Sequence, residues 1–232
     1  LDGSELLVNT IAVDVRGVNS RLELANHSDP GVARTQTIAS LDGAGFIDLG
    51  RNTLDVTNGG SFDGEFFGEG SVNVANGAFT ITQSLTSSQG TLDVSNSAGT
   101  TVGAGSSVDV RRVQVNSQGV LNVAGTGQSS SAVTGEEVMV QDGGRVHLGD
   151  GAYNAGDENH TVLQGNTMSV HGTVSGSGTL RADTIRVESD VTTSHARVQP
   201  GDSPGVLQYD AALTTFGFNS VHEIEVVDSD LA

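Results

Sequence analysis

A short alternating pattern, apolar–polar–apolar, recurs along the whole chain and limits the fold more than any other feature. A period of two is typical of short strands that bury one face. Glycine precedes several copies, as in GSVNV, GTLDV and GVLNV. The copies are LEL (22–24), IDL (47–49), LDV (54–56), VNV (72–74), LDV (92–94), VDV (108–110), LNV (121–123), VMV (138–140), VHL (146–148), MSV (168–170), IRV (185–187) and IEV (224–226).

The spacing of these copies indicates stacked coils. The interval from Leu54 to Val72 is 18 residues, that from Val72 to Leu92 is 20, and that from Val146 to Met168 is 22. Steps of about 20 residues favour a solenoid in which each coil stacks on the last. A β-sandwich, with strands at intervals of about 8 to 12 residues, is the alternative that spacing alone leaves open. Periodicity of the helical type is weak even over residues 32–41. We therefore predict an all-β fold, a right-handed parallel β-helix with coils of about 20 residues.

Composition agrees with stacked coils. The chain has 32 glycines and only 4% aromatic residues. Small aliphatic side chains suit the narrow interior of a solenoid, and glycine suits its corners because it adopts positive φ readily. The segments NGG (58–60) and DGG (142–144) are predicted turns of this kind.

The charge balance narrows the choice of partners. The chain carries 28 acidic and 10 basic residues, for a net charge of -18. Nucleic acid and anionic membrane surfaces are unsuited as partners, because both attract cationic proteins. Cysteine is absent, which excludes disulfides and thiolate metal sites. The opening segment LDGSELLVNT lacks the features of a signal peptide, and both ends look cut from a longer protein.

Two segments resemble bacterial autotransporter passengers. Residues 40–82, SLDGAGFIDLGRNTLDVTNGGSFDGEFFGEGSVNVANGAFTIT, resemble the autotransporter-associated β-strand repeat. That family alternates GxGxLxLGxNTLTV-like strands with a GGSFSGxIxGxGSL-like turn. The matching residues are Gly43, Gly45, Gly50, residues 52–56 and 59–62, Gly64, Gly68, Gly70 and Ser71.

The second segment, residues 174–210, contains VSGSGTL and VQPGDSPGVLQYD. It is similar to the SGSGTL…LSPGNSPGTLTV segment found near the end of many passengers. The matching residues are Gly176, Gly178, Thr179, Leu180, Pro200, Gly201, Ser203, Pro204 and Gly205. Proline fixes φ and lacks an N–H, so we interpret PGDSPG as a rigid corner that sets the next strand in register.

The resemblance implies a single β-solenoid that forms part of a longer passenger. It implies export through the outer membrane by a translocator barrel, and an extracellular or cell-surface location. The implied role is a non-catalytic adhesin or rigid stalk, whose partners are a host-cell or matrix glycan or protein, or other copies on sister cells. Residues 1–40 are predicted to form irregular N-terminal coils, 41–148 the repeat-like coils, 149–165 a projecting loop and 166–232 the C-terminal coils.

The projecting loop holds the densest polar cluster, GDGAYNAGDENH (149–160). Its oxygen ligands would suit calcium, but their spacing does not fit an EF-hand. The repeats of calcium-binding β-rolls are also absent from the sequence. We therefore predict no cofactor, with calcium as the weaker alternative, and a partner-binding loop. Its candidate binding residues are Asp150, Tyr153, Asp157, Glu158 and His160.

Little in the sequence points to catalysis. The six histidines are scattered, and none shows a metal-binding spacing. His147 and His222 are at or beside outward strand positions, so we interpret both as surface residues. Glycoside-cleaving sites need paired carboxylates. The outward acids Asp48, Asp55, Asp93 and Asp109 would have to align across coils to provide them. We predict that the chain is not an enzyme. The two alternatives are a carbohydrate-active β-helix enzyme and a self-assembling surface-layer protein.

Overall fold

The computed structural model describes residues 10–24, 32–125, 129–149, 161–189, 191–192, 194–200 and 206–223. Within these ranges all regular secondary structure is β-strand, which confirms the all-β prediction. No helix in the described part of the chain is long and apolar enough to cross a membrane.

The described strands form two long sheets. The first contains ten strands: β1 (Ala12–Val15), β4 (Ser40–Gly43), β7 (Gly60–Phe62), β10 (Phe79–Ile81), β12 (Thr100–Val102), β14 (Val120–Val123), β16 (Arg145–Leu148), β18 (Thr173–Gly176), β20 (Ala196–Pro200) and β22 (Ser220–His222). The second contains twelve: β2 (Arg21–Glu23), β3 (Thr35–Ile38), β5 (Phe46–Gly50), β6 (Thr53–Val56), β8 (Glu65–Gly68), β9 (Ser71–Val74), β11 (Ser84–Val94), β13 (Ser107–Val115), β15 (Ala132–Val140), β17 (Val162–Val170), β19 (Gly178–Val187) and β21 (Leu207–Phe216).

The pairing of these strands defines a β-solenoid. Each strand pairs in parallel with the equivalent strand of the next coil, whereas a β-sandwich pairs its strands antiparallel. Leu41 pairs with Gly60, and Phe79 also pairs with Gly60, so these two coils take 19 residues each. Val146 pairs with Val174, a step of 28 residues. The predicted length of about 20 therefore holds for the early coils, and later coils take more residues.

One interval in the sequence was wrongly taken as a coil step. Val146 and Met168 lie in different sheets: Val146 belongs to β16, whereas Met168 pairs with Val138. The intervals from Leu54 to Val72 and from Val72 to Leu92 do join adjacent coils.

The core consists of aliphatic columns that run through the coils. One column is formed, in order, by Leu54, Val72, Leu92, Val113, Val138, Met168 and Ile185. Each of these side chains is at most 1% exposed. Burial of a side chain of this size contributes roughly 1.5–3 kcal/mol, so the columns are the main source of stability.

The Phe66–Phe67 pair divides between core and surface. Phe66 is buried, and its ring meets that of Phe62 edge to face with centroids 4.8 Å apart. Phe67 is half-buried and points outward, with the Arg21 guanidinium 5.2 Å from its ring centroid. An inward role for one of two adjacent strand residues is the outcome that strand alternation predicts.

The NGG turn requires its glycines for two reasons. Gly59 and Gly60 have φ of +84° and +128°. A Cβ atom at Gly59 would lie 1.9 Å from the carbonyl oxygen of Ala78, and one at Gly60 would lie 2.1 Å from that of Leu41. The coils therefore approach too closely at this corner for any side chain. Gly143 of the DGG turn has φ of +79°, which confirms the second predicted turn.

Two predicted segments have different bounds in the structure. The projecting loop was predicted to end at residue 165, but β17 already begins at Val162 because VLQG continues the alternation of buried and outward residues. Pro200 ends β20, and β21 runs parallel to β19 from Leu207. The corner at residues 201–205 lies outside the described residues.

Candidate functional site

The predicted partner-binding loop lies outside the described residues, including Asp150, Tyr153, Asp157, Glu158 and His160. The residues on either side of it belong to the solenoid wall. Gly149 has φ of +76° at the end of the strand before the loop. Thr161 is buried, and its hydroxyl donates a hydrogen bond to the carbonyl of Ser177 at 3.0 Å. The role of the loop itself remains a prediction.

A bend in the long strands of the second sheet creates a feature that the sequence analysis did not anticipate. Strict alternation of inward and outward residues breaks within each of β13, β15, β17 and β19, where two consecutive residues face outward. The residue before each pair is buried and mostly small, because the chain changes direction there. The outward pairs are Arg111–Arg112, Glu136–Glu137, Asn166–Thr167 and Asp183–Thr184, and the buried residues before them are Val110, Gly135, Gly165 and Ala182.

A groove runs across the strands beside this bend, and we call it the outer groove. Its two described sections have volumes of about 250 and 290 Å³, and they share Gln164, Gly165 and Asn166. Strand register aligns its walls from coil to coil. One wall is formed by Thr86, Asp109, Thr134, Gln164, Arg181 and Asp210, and the other by Ser88, Arg111, Glu136, Asn166, Asp183 and Ala212.

Ion pairs hold side chains in and beside the outer groove. Arg111 Nε lies 3.9 Å from Glu136 Oε2, and Arg181 Nε lies 2.8 Å from Asp210 Oδ2. Both pairs join adjacent coils. Exposed ion pairs contribute about 0–1 kcal/mol each, so these pairs affect side-chain orientation more than stability.

The middle of the outer groove contains polar side chains without a hydrogen-bond partner among the described residues. The side chains of Thr134, Gln164 and Asn166 make no hydrogen bond with the described part of the chain. Thr134 and Gln164 are half-buried and Asn166 is exposed. A primary amide offers two donors and one acceptor oxygen, so each amide here can bind a ligand that both donates and accepts hydrogen bonds.

The four outward acids named from the sequence do not form one cluster. Asp55 and Asp93 share a column but are separated by Asn73 of the intervening coil. Asp48 is paired with Arg21, and Asp109 lies in the outer groove. In the column, Asn73 Nδ2 donates to Asp55 Oδ1 at 3.0 Å. No group of three or more histidine or acidic residues that could hold a metal ion occurs among the described residues.

The carboxyl group of Asp93 is half-buried in this column. Burial raises the pKa of its carboxyl above the ordinary value, and the nearby charge of Asp55 acts in the same direction. Hydrogen bonds from Ser95 Oγ at 3.0 Å and Asn116 Nδ2 at 2.5 Å partly offset the rise. The groups that contact the Asp93 carboxylate are amides and a hydroxyl. Asp93 therefore belongs to a column of hydrogen-bonded polar side chains on the surface.

The two strand histidines differ from each other. His147 points outward as predicted, with Nδ1 3.2 Å from Ser175 Oγ. His222 lies beside an outward position, in register with the buried Val198, and is a surface residue as expected. Its ring stacks on Phe216 with centroids 4.9 Å apart and an angle of 8° between the planes. His222 is exposed because it belongs to the last described coil.

Aromatic residues occupy inward positions of that last coil. Tyr209 and Phe216 lie in register with Leu180 and Val187 of the preceding coil. Burial raises the pKa of Tyr209 to about 12. Its hydroxyl is buried and has no hydrogen-bond partner in the described ranges. In the last described coil, aromatic rings thus continue the aliphatic columns.

Comparisons with protein-family models, curated proteins and solved structures found no match to this chain. The class of protein that the fold defines is a parallel β-solenoid with a polar groove on the outer face of its second sheet. The sequence does contain a signal for this groove. The doubled polar residues in VDVRRVQV, VTGEEVMV, LQGNTMSV and LRADTIRV interrupt alternation at the same register of successive coils.

Proposed function

We propose that this chain is a non-catalytic part of a bacterial cell-surface or secreted passenger protein that acts as an adhesin or rigid stalk. The observation that carries the proposal is the register of the coils, since every paired strand of the described solenoid is parallel to its neighbour. The resemblance of residues 40–82 and 174–210 to autotransporter passengers adds the location: outside the cell, after export through the outer membrane.

The stacked coils suit a protein that must keep its surface features in fixed positions. The columns of buried side chains and the two sheets connect each coil to the next. Ten strands spaced about 4.8 Å apart give a stack of about 43 Å. Ion pairs between coils, such as Arg112 with Glu137 at 2.6 Å, support the same arrangement on the surface. Outward side chains and the loop at 149–165 would then carry recognition.

A carbohydrate-active enzyme is the second candidate, and the outer groove is the observation that favours it. Asp109, Glu136, Asp183 and Asp210 line this groove. Glu136 and Asp210 are each paired with an arginine, so two of the four carboxylates already have an ionic partner. This arrangement favours binding over bond cleavage.

The experiment that separates these functions is a binding screen of the purified chain on a glycan and matrix-protein array, with and without calcium. Product release is measured in the same wells. We expect saturable binding with no product. The double variant Asp109→Asn/Glu136→Gln serves as the control for catalysis, because both substitutions keep the shape of the side chain but remove the carboxylate.

Each outcome of the screen supports a different function. Depolymerisation by the parent chain that the control variant lacks would overturn the non-catalytic proposal. Calcium-dependent binding would indicate that the cluster at residues 149–160 holds a cation. Concentration-dependent association without array binding would favour the self-assembling surface layer, and no signal of any kind would leave a stalk as the function.

A further inference from the structure

The outer groove has the geometry of a site for a linear polymer. It runs along the solenoid axis, and successive rungs of its walls are about 4.8 Å apart because each rung belongs to one coil. This spacing is similar to the length of one hexose unit in an extended chain. A polymer of repeating units can therefore place equivalent groups against successive coils, which multiplies weak contacts.

The central rungs select for hydroxyl groups. Thr134, Gln164 and Asn166 have unused hydrogen-bonding groups within the described structure, and they lie together in the middle of the groove. Each sugar hydroxyl is both a donor and an acceptor, as are a threonine hydroxyl and an amide. The lining residues include no aromatic side chain, so an apolar ligand would gain little contact there.

Charge disfavours an anionic polymer. The lining includes four carboxylates, from Asp109, Glu136, Asp183 and Asp210, against two arginines, and the whole chain has a net charge of -18. A negatively charged polymer would be repelled both at the groove and on approach.

A peptide strand is also disfavoured. The groove lies on the face of a sheet whose strands are already paired on both sides. Peptide strands add to sheets through unpaired backbone groups at an edge, which this face does not offer.

We propose that the outer groove binds a neutral polysaccharide chain along the solenoid axis. The proposal names the ligand class for the recognition surface and so rests on the proposed function. The polysaccharide lies across strands β13, β15, β17 and β19, with Gln164 and Asn166 as the central hydrogen-bonding groups.

The test is a nuclear magnetic resonance titration of the full chain with defined hexasaccharides. The neutral set contains β-1,4-glucan, β-1,3-glucan, α-1,4-glucan, β-1,4-xylan and β-1,4-mannan hexamers, and a galacturonate hexamer is the anionic comparison. We expect at least one neutral hexamer to shift the backbone amide signals of residues 134–136 and 164–166 saturably. The double variant Gln164→Ala/Asn166→Ala should bind that hexamer at least about tenfold more weakly.

Two further variants make the test specific. Thr134→Trp places a large side chain in the groove and should abolish the shifts. The double variant Asn122→Ala/Gln199→Ala removes two outward amides from the first sheet and should bind like the parent chain. All of these positions face outward, and an unchanged amide spectrum away from the substitutions confirms that each variant folds.

Three results would overturn the proposal: no shift with any neutral hexamer, tighter binding of the galacturonate hexamer, or equal binding by the Gln164→Ala/Asn166→Ala variant. These results are separate from a failure of the proposed function. Array binding that persists in the groove variants would sustain an adhesin that recognises its partner elsewhere.

Discussion

At the scale of single residues, an amide side chain separates two like charges in one column of outward residues in the second sheet. Asp55 and Asp93 would repel if they were directly paired, because cross-strand neighbours lie only about 4.5–5.5 Å apart. Asn73 separates them and donates a hydrogen bond to Asp55. Asn116 and Ser95 donate to Asp93 in turn. The column therefore keeps two carboxylates at an acceptable distance, although Asp93 still has a raised pKa.

The raised pKa gives a prediction for Asp93→Asn. Since burial makes the charged form less favourable in the folded state, the unfolded state releases the proton more readily. The ionised Asp93 thus lowers the free energy of unfolding as pH rises through its folded-state pKa. We expect Asp93→Asn to raise the unfolding temperature at pH 7 by an amount equivalent to less than about 1 kcal/mol, because the site is only half-buried.

The measurement is thermal unfolding of the parent protein and of the Asp93→Asn variant between pH 3 and pH 7. The gain from Asp93→Asn should shrink as pH falls through the folded-state pKa, and it should be absent below about 4, where the parent carboxyl is protonated in both states. Lower stability of the variant at pH 7 would mean that hydrogen bonds to the carboxylate outweigh its desolvation.

At the scale of strands, one residue faces the core and the next faces solvent. The two contribute very differently to the free energy of unfolding. Leu121 of β14 is fully buried between Thr100 and Val146 of the adjacent coils. Asn122, the next residue, points outward in the same strand. This contrast repeats in nearly every strand, so stability depends on the inward columns.

We expect Leu121→Ala to lower the free energy of unfolding by about 2–5 kcal/mol, because it leaves a cavity in a column that cannot easily collapse. Asn122→Ala, the matched control, should change it by less than about 0.5 kcal/mol. Urea unfolding monitored by circular dichroism measures both. Similar losses in the two variants would contradict the assignment of inward and outward positions in β14.

At the scale of the whole molecule, negative charge is distributed along a stack of coils. The net charge is -18, and several of the arginines are already paired with acids of the same or an adjacent coil. The 28 acidic residues still far outnumber the 10 arginines, and the net repulsion between carboxylates opposes the compact state.

We expect added NaCl to stabilise the protein. Raising the ionic strength from 0.01 M to 1 M shortens the screening length from about 30 Å to about 3 Å, which suppresses repulsion between coils. The unfolding temperature should rise by a few °C, measured by calorimetry at pH 7. A fall would show that the exposed ion pairs contribute more than the repulsion, and a parallel series in the uncharged solute sucrose controls for effects of the solute on hydration.

The alternation of apolar and polar residues, the glycine corners and the all-strand structure of the described residues were predictable from the sequence, because they follow from local rules. The inward residues of LDV, VNV and LNV are buried, and Gly59, Gly60 and Gly143 have positive φ as expected. Coil length was predicted only approximately. The sequence does not state which strands pair, and so Val146 and Met168 were assigned to adjacent coils although they lie in different sheets.

The candidate site shows the difference between what the sequence determines and what the tertiary structure determines. The sequence by itself determined that the chain stacks short strands around an aliphatic core, because each strand carries that information in its own pattern. Only the tertiary structure decided that Thr134, Gln164 and Asn166, up to 32 residues apart along the chain, line one groove. Register between coils depends on the contacts of all strands together, and a groove between coils exists only once that register is set.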